Sequence, residues 1–346
     1  MRVRPERVLV AMSGGVDSSV AAAMLVEAGH EVVGATLKLW GGDSDSGCCS
    51  VADVDDARSV ARRLGIEHHV FNFGDDFDEH VVAPYIADHA AGRTPNPCIE
   101  CNRHLKFDRL LRRADALGFD AVATGHHARI AEHADGTRRV ARGADRAKDQ
   151  SYVVHVLDAA ALARVRFPVG HLTKTAVRAE AARLGLATAD KPDSQDVCFI
   201  TATGGRTAFL GPRITTKPGR VVDAVGTTVG AVPAVELVTI GQRRGLGLKG
   251  GADPAYVIDI DVPGARVTVG SEADLLIESV LLQDLTWIAG PVAGELVAQT
   301  SAHGIAHPCH VEGTTVVFSE PSRRVASGQS VVLYVDEEVV AGGIVA

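Results

Sequence analysis

Over the first two hundred residues, short unbroken apolar runs alternate with amphipathic ones; after that the alternation stops. Residues 8–10 (Val-Leu-Val), 31–37, 66–73 and 121–124 are rich in β-branched residues and read as strands. Between them, 18–25, 51–64, 76–91 and 102–117 read as helices. Gly65, Gly92 and Gly118 follow the last three, as glycine does where a helix ends in a left-handed residue. Another helix is capped by Thr173 and runs to Leu184, ahead of Gly185. Strands that are apolar throughout, interleaved with helices, predict an α/β fold. It is a doubly wound parallel sheet covered on both faces, with its ligand at the carboxyl ends of the strands.

Beyond about residue 204 helical spacing nearly vanishes. Residues 221–223, 235–240, 256–260, 266–269, 280–287, 295–300, 315–318 and 330–335 are strand candidates separated by Gly, Pro and Asp. This half predicts two small β-rich domains, the last a β-barrel. The expected division is 1–204, 205–264 and 265–346, with the second break near Gly264.

Composition narrows the class. Across 346 residues, 46% hydrophobic and 23% charged content describes a water-soluble globular chain, and no run reaches membrane-spanning length. Residues 1–7 carry no apolar stretch of signal-peptide length, so a cytoplasmic location and no membrane partner are expected. Six cysteines are too few for a secreted disulfide scaffold and point to chemistry or metal. A net charge of −8 excludes a uniformly basic nucleic-acid surface. Three local clusters could still hold RNA or be solvated faces: Arg103 to Arg113, Arg138 to Lys148, and Arg243, Arg244 and Lys249.

The first strand leads into Ala11-Met12-Ser13-Gly14-Gly15-Val16-Asp17-Ser18 and then a helix. That geometry aims backbone N–H groups and a helix N-terminus at one point, where an anion can sit. Gly14 and Gly15 let the backbone approach a ligand, Ser13 and Ser18 offer hydroxyls, and Asp17 can hold a divalent cation against phosphate oxygens. The stretch resembles the S-G-G-x-D-S loop of the ATP pyrophosphatases, which cleave ATP between the α and β phosphates.

Cysteine supplies the second signal. Asn96-Pro97-Cys98-Ile99-Glu100-Cys101 ends at the expected helix start, Asn102, so Cys101 is expected at a helix N-terminus that favours thiolate. Cys198, after the polar residues 193–196, is a candidate partner in thiol exchange. Gly125 ends a strand where its backbone could meet a nucleotide base. Lys148, Asp149 and Gln150 follow an expected hairpin at Asp135-Gly136 and offer charge and amide donors to a polynucleotide. His126 and His127 read as polar loop residues.

Together these motifs resemble the bacterial tRNA-specific 2-thiouridylases over nearly the whole chain. The resemblance rests on residues 13–18, Asn96-Pro97 with Cys101-Asn102, 123–126, 148–152, Cys198-Phe199-Ile200 and Ile240-Gly241-Gln242-Arg243-Arg244-Gly245-Leu246-Gly247. It implies ATP-dependent 2-thiolation of the wobble uridine of lysine, glutamate and glutamine tRNAs, through an adenylated uridine and a cysteine persulfide. It implies Cys198 as the persulfide carrier and Cys101 as the nucleophile, able to finish in a disulfide with Cys198. Residues 11–18, Leu37 and Gly125 would bind ATP with Mg2+. Asn96, Pro97 and Cys98 would meet the target base, and Lys148, Asp149 and Gln150 the tRNA. The sulfur would come from a cysteine desulfurase or relay protein.

The chain departs from the family at three places. Many members have Asp at the position of Cys98. With Cys101 and Cys198, Cys98 could alternatively ligate a [4Fe–4S] cluster. Residues 231–238 lack the usual glycine- and His/aromatic-containing stretch, and Ser301-Ala302 stands where an Arg-aromatic pair often contacts tRNA. Two other readings share the loop: another ATP pyrophosphatase acting as a ligase, for which Cys101 and Cys198 have no use, and a non-catalytic RNA- or metal-binding protein, against which an intact Asp17 argues.

Overall fold

The computed structural model describes residues 4–39, 50–193, 197–200, 205–248, 254–292 and 294–346. Residues 194–196 and Lys249, named above, lie outside this set. The first half holds β1 (Arg7–Ala11), β2 (Glu31–Lys38), β3 (Glu67–Asn72), β4 (Ala121–Ala123), the hairpin β5 (Ala128–Glu132) and β6 (Arg138–Arg142), and β7 (Val165–Arg166). Five of these form an all-parallel sheet in the order β3-β2-β1-β4-β7. Val8, Leu9 and Val10 at its centre are fully buried. Leu9 faces one apolar layer with Phe77, Leu105 and Leu110; Val8 and Val10 face another with α1 (Val16–Glu27) and α2 (Val51–Leu64). Burial on both faces explains why these strands read as continuous apolar runs. Chain order runs outward in opposite directions from β1 and β4, so the crevice beyond their carboxyl ends is the switch point where such sheets bind ligands.

Two helices differ from expectation. The one expected over 102–117 begins earlier, as Pro97–Glu100, continues as a π-helix over Cys101–Arg109, and ends as Leu110–Ala116. Asn96 is the cap, its side chain accepting from the Cys98 N–H at 3.1 Å. Pro97 takes the first helical position, where its missing N–H is no loss. Cys98 is therefore in the first turn and Cys101 is one turn further in, so Cys101 is not a helix-start residue. The helix expected over 76–91 also contains a π-helical stretch, Asp78–Val82.

In the second half, β8 (Gly219–Val222), β9 (Thr228–Val232), β10 (Tyr256–Asp261) and β11 (Arg266–Gly270) form one sheet in the order β10-β11-β8-β9. Strand β11 lies beyond the expected break at Gly264 yet pairs with β8 and β10, so it shares their sheet. The strand expected over 235–240 is instead a 3-10 turn, Val235–Leu237, whose Val235 plugs the core of this sheet. Then β12 (Leu276–Trp287), β13 (Leu296–Gln299), β14 (His307–Glu312), β15 (Thr315–Arg323), β16 (Ser330–Val335) and β17 (Glu338–Val345) form the expected barrel. It runs β12-β15-β14-β13-β16-β17 and closes through antiparallel pairing of β12 with β17. The hairpin β5–β6 adds to its outer edge, with Ala141 opposite Glu338. The barrel is thereby tied to the parallel-sheet domain.

Candidate active site

A cavity of about 600 Å³ opens at the switch point. Its floor is the loop after β1. Gly14 has φ +72°, and a Cβ there would stand 2.3 Å from the Asp53 carbonyl oxygen, so only glycine fits against α2. Gly15 caps α1 without a side-chain hydrogen bond, which leaves first-turn N–H groups for a ligand. The Ser18 hydroxyl braces the loop, accepting from the Ser13 N–H at 3.2 Å and donating to the Gly15 carbonyl at 3.1 Å. Gly125, at the end of β4, touches α1 so closely that a Cβ would lie 2.5 Å from the Ser18 nitrogen. Leu37, from β2, lines the same space.

Asp17 is the electrostatic centre. Its carboxylate accepts from Lys174 Nζ at 2.6 and 2.9 Å and stands 3.0 Å from His127 Nε2. Burial pushes its acidity down, but the bonds from His127 and Lys174, with the Lys174 charge, win and hold it below the usual carboxylate range. Lys174 also pairs with Asp193 at 2.9 Å, and Lys148 reaches Asp193 at 2.7 Å. These two ammonium groups outweigh the burial of Asp193 and hold it well below its ordinary value.

Cys98, Cys101 and Cys198 all line this cavity, Cys101 buried and the other two partly so. Asn96 and Pro97 line it too, with the Asn96 side-chain oxygen accepting from the Cys98 N–H. Lys148 faces the cavity through its pair with Asp193. Asp149 is almost wholly buried; its oxygens accept from the Gly143 and Ser151 N–H groups, the Ser151 hydroxyl and Arg142. Gln150 accepts from the His127 N–H at 2.9 Å. Among 148–150, then, Lys148 carries the charge toward the cavity, while Asp149 and Gln150 shape the turn. The basic cluster 138–148 likewise reads differently in three dimensions: Arg138, Arg139, Arg142 and Arg146 each pair with a carboxylate.

Sequence reading missed the partners of Asp17. His127 and His126 are buried rather than loop-exposed. His126 stands 2.7 Å from the Thr124 hydroxyl, and burial pushes its imidazole far below the ordinary range, so it is neutral. Lys174 carried one signal, its place immediately after the capping Thr173. The barrel residues Ala302, His303 and Gln329 at the rim carried none.

Among the described residues no group of three or more His, Cys, Asp or Glu stands close enough to hold a metal ion. The three cysteines thus share a cavity without forming a ready cluster site, and the [4Fe–4S] alternative finds no fit in this arrangement. Asp17 can serve as a single carboxylate toward Mg2+ whose other ligands are phosphate oxygens and water, which is how Mg2+ is often held.

A parallel sheet whose β1–α1 glycine loop lies at the switch point, with an ionised aspartate facing its mouth, defines a nucleotide-binding α/β protein of the ATP pyrophosphatase class. Comparison makes this specific. Residues 6–202 match the family model described as tRNA methyl transferase HUP domain, 207–271 the tRNA methyl transferase PRC-barrel domain, and 278–345 the Aminomethyltransferase beta-barrel domain. A relative named tRNA-specific 2-thiouridylase MnmA from Mycolicibacterium gilvum (strain PYR-GCK) is 49% identical, over 95% of this chain and 94% of its own length. Another of that name from Roseiflexus sp. (strain RS-1) is 45% identical over 98% and 99%. The chain belongs to the tRNA-specific 2-thiouridylase family. Among solved structures, the U34-tRNA thiolase NcsA from Methanococcus maripaludis with its [4Fe-4S] cluster aligns with 57% of this chain and 63% of its own, at 18% identity and a TM-score of 0.37, too distant to carry an argument.

Proposed function

We propose that this chain replaces the C2 oxygen of the wobble uridine of tRNA with sulfur, consuming ATP. The observation that carries the proposal is that the ATP-type loop and three cysteines line one cavity. A carbonyl oxygen is a poor leaving group, so it is first made a good one. The uridine O2 attacks the α-phosphorus of ATP, pyrophosphate departs, and the N3 proton is lost to solvent. The loop N–H groups and Lys174 hold the phosphates, and Asp17 is the residue that would hold Mg2+, which when bound neutralises phosphate charge.

Sulfur then arrives as a persulfide on Cys198. Its terminal sulfur attacks C2 and expels AMP, leaving a C2–S–S–Cys198 link. The Cys101 thiolate attacks the Cys198 sulfur and breaks that link. The transferred sulfur keeps the electron pair as the thiocarbonyl, N3 regains its proton, and a Cys101–Cys198 disulfide remains for a thiol reductant to reopen. A cysteine desulfurase or relay protein would recharge Cys198. Asn96, Pro97 and Cys98 would meet the base, with residues 148–150 beside the RNA. No helix among the described residues is long and apolar enough to cross a membrane, which suits a cytoplasmic enzyme working on tRNA. Mass spectrometry of tRNA nucleosides from cells with and without the gene tests this reading. Loss of wobble 2-thiouridine derivatives is expected, and unchanged levels would overturn it.

A further inference from the structure

The RNA-facing rim of the cavity is assembled from two domains, and one pair of side chains fixes their register. Arg142, at the end of β6, is largely buried with its guanidinium 3.8 Å from the Tyr334 ring centre, over a barrel strand. Its Nη1 donates to Asp149 at 3.1 Å and to Gln299 Oε1 at 2.6 Å. Gln299, at the end of β13 and 4% exposed, turns its Nε2 to the carbonyls of Ser301 and Ala302 at 2.9 and 3.1 Å. The carboxamide thus accepts from one domain and donates twice to the loop whose Ala302 and His303 line the cavity. On the opposite rim Asp149 accepts from Arg142 and from the Gly143 and Ser151 N–H groups, which ties the 148–150 turn to the same guanidinium. A second barrel segment braces the approach to Asn96: the Thr94 N–H donates to the Ser327 carbonyl at 2.8 Å, and Gln329 donates to the Thr94 carbonyl.

We propose that Arg142 and Gln299 are positioning residues that hold the 148–150 turn and the 301–303 loop at one fixed separation, so that the barrel is a wall of the pocket that receives an unpaired RNA base. The inference deepens the proposed function and rests on it. A buried, charge-assisted link between rims preorganises the opening, so less ordering remains when a splayed loop binds. Neither side chain needs to touch RNA.

The test is Gln299→Glu in the full chain. A glutamate still accepts from Arg142 but loses both donated bonds and sets a carboxylate against two carbonyls. Filter binding with an anticodon stem-loop RNA reads the effect without requiring thiolation. The expected result is about tenfold weaker RNA binding with the same slope of affinity against salt, because no phosphate contact is removed. ATP affinity measured without RNA should not move. Arg142→Met, which removes the one nitrogen that donates to both Asp149 and Gln299, should give the same shift if the glutamate variant fails to fold. RNA affinity within twofold of the parent in the folded variants would overturn the proposal, as would an equal loss of ATP affinity. Tight RNA binding by a parent that never thiolates would count against the proposed reaction and not against this link.

Discussion

Lys174 Nζ bridges Asp17 and Asp193, with distances of 2.6 Å to the first and 2.9 Å to the second. One ammonium thus keeps two carboxylates together beside the loop expected to hold the phosphates of ATP. Without it, two partly exposed carboxylates would face an anionic ligand with less compensating charge. Lys174→Met is expected to lower kcat/KM for tRNA-dependent pyrophosphate release by about 100-fold or more, the scale of losing a preorganised electrostatic contact. A change below about threefold would show that the lysine serves only the fold.

Gly125 is where β4 meets the first turn of α1. A methyl group there would stand 2.5 Å from the Ser18 nitrogen and 2.7 Å from the Asp17 carbonyl carbon. Gly125→Ala must push the helix start away from the strand end. ATP affinity should fall by at least tenfold, with melting lowered by a few degrees at most. Calorimetric titration with ATP and a thermal melt separate the two effects.

Acid sensitivity has a defined window. Burial lowers His89 and His155 to about 4, the second despite its bond to the Tyr152 carbonyl. Unfolded, each would take up a proton near 6.5. Between about pH 6.5 and 4 the unfolded chain therefore binds more protons, and stability must fall as the pH is lowered. Asp17 and Asp193 have depressed values, so their contribution is present above the ordinary carboxylate range and is lost only below about pH 4. Urea midpoints from pH 7.5 to 4 should decline for the parent and decline less for His155→Gln. The difference should be about 3 kcal/mol at pH 4. Parallel curves would mean that His155 does not titrate as its burial dictates.

Cys101 and Cys198 divide the proposed reaction. Cys198→Ser is expected to retain tRNA-dependent release of pyrophosphate, with AMP left on the uridine oxygen, while losing sulfur transfer. Cys101→Ser should stall with RNA linked to Cys198 through a disulfide that dithiothreitol releases. Nonreducing gels of the protein with labelled tRNA check this, and the absence of a thiol-sensitive adduct in Cys101→Ser would contradict the assigned order.

What could be read from sequence was what a few adjacent residues determine. The loop at residues 11–18 is a local strand–glycine–helix unit, so its shape follows from its own sequence. The barrel's strands could largely be read as single runs, though not its closure, which joins β12 to β17 across some sixty residues. Lys174 and His127 reach Asp17 from 157 and 110 residues away, and only folding reveals them. Pro97 opens the helix, because proline is tolerated at the first helical position, and this sets the helix start ahead of Asn102 and puts Cys101 one turn inside it. Val235 and Val238 have strand-like chemistry but serve as core plugs in a turn. Local propensity does not distinguish those uses.

The account stands on the claim that ATP cleavage and sulfur transfer occur on the same uridine in one cavity. The direct measurement incubates the protein with unmodified tRNA, ATP, Mg2+ and a persulfide donor. Nucleosides are then quantified by mass spectrometry alongside AMP. One 2-thiouridine at the wobble position per AMP is the predicted result. AMP formed without 2-thiouridine, or in equal amount from the Cys101→Ser/Cys198→Ser double variant with a different modified nucleoside, would contradict it.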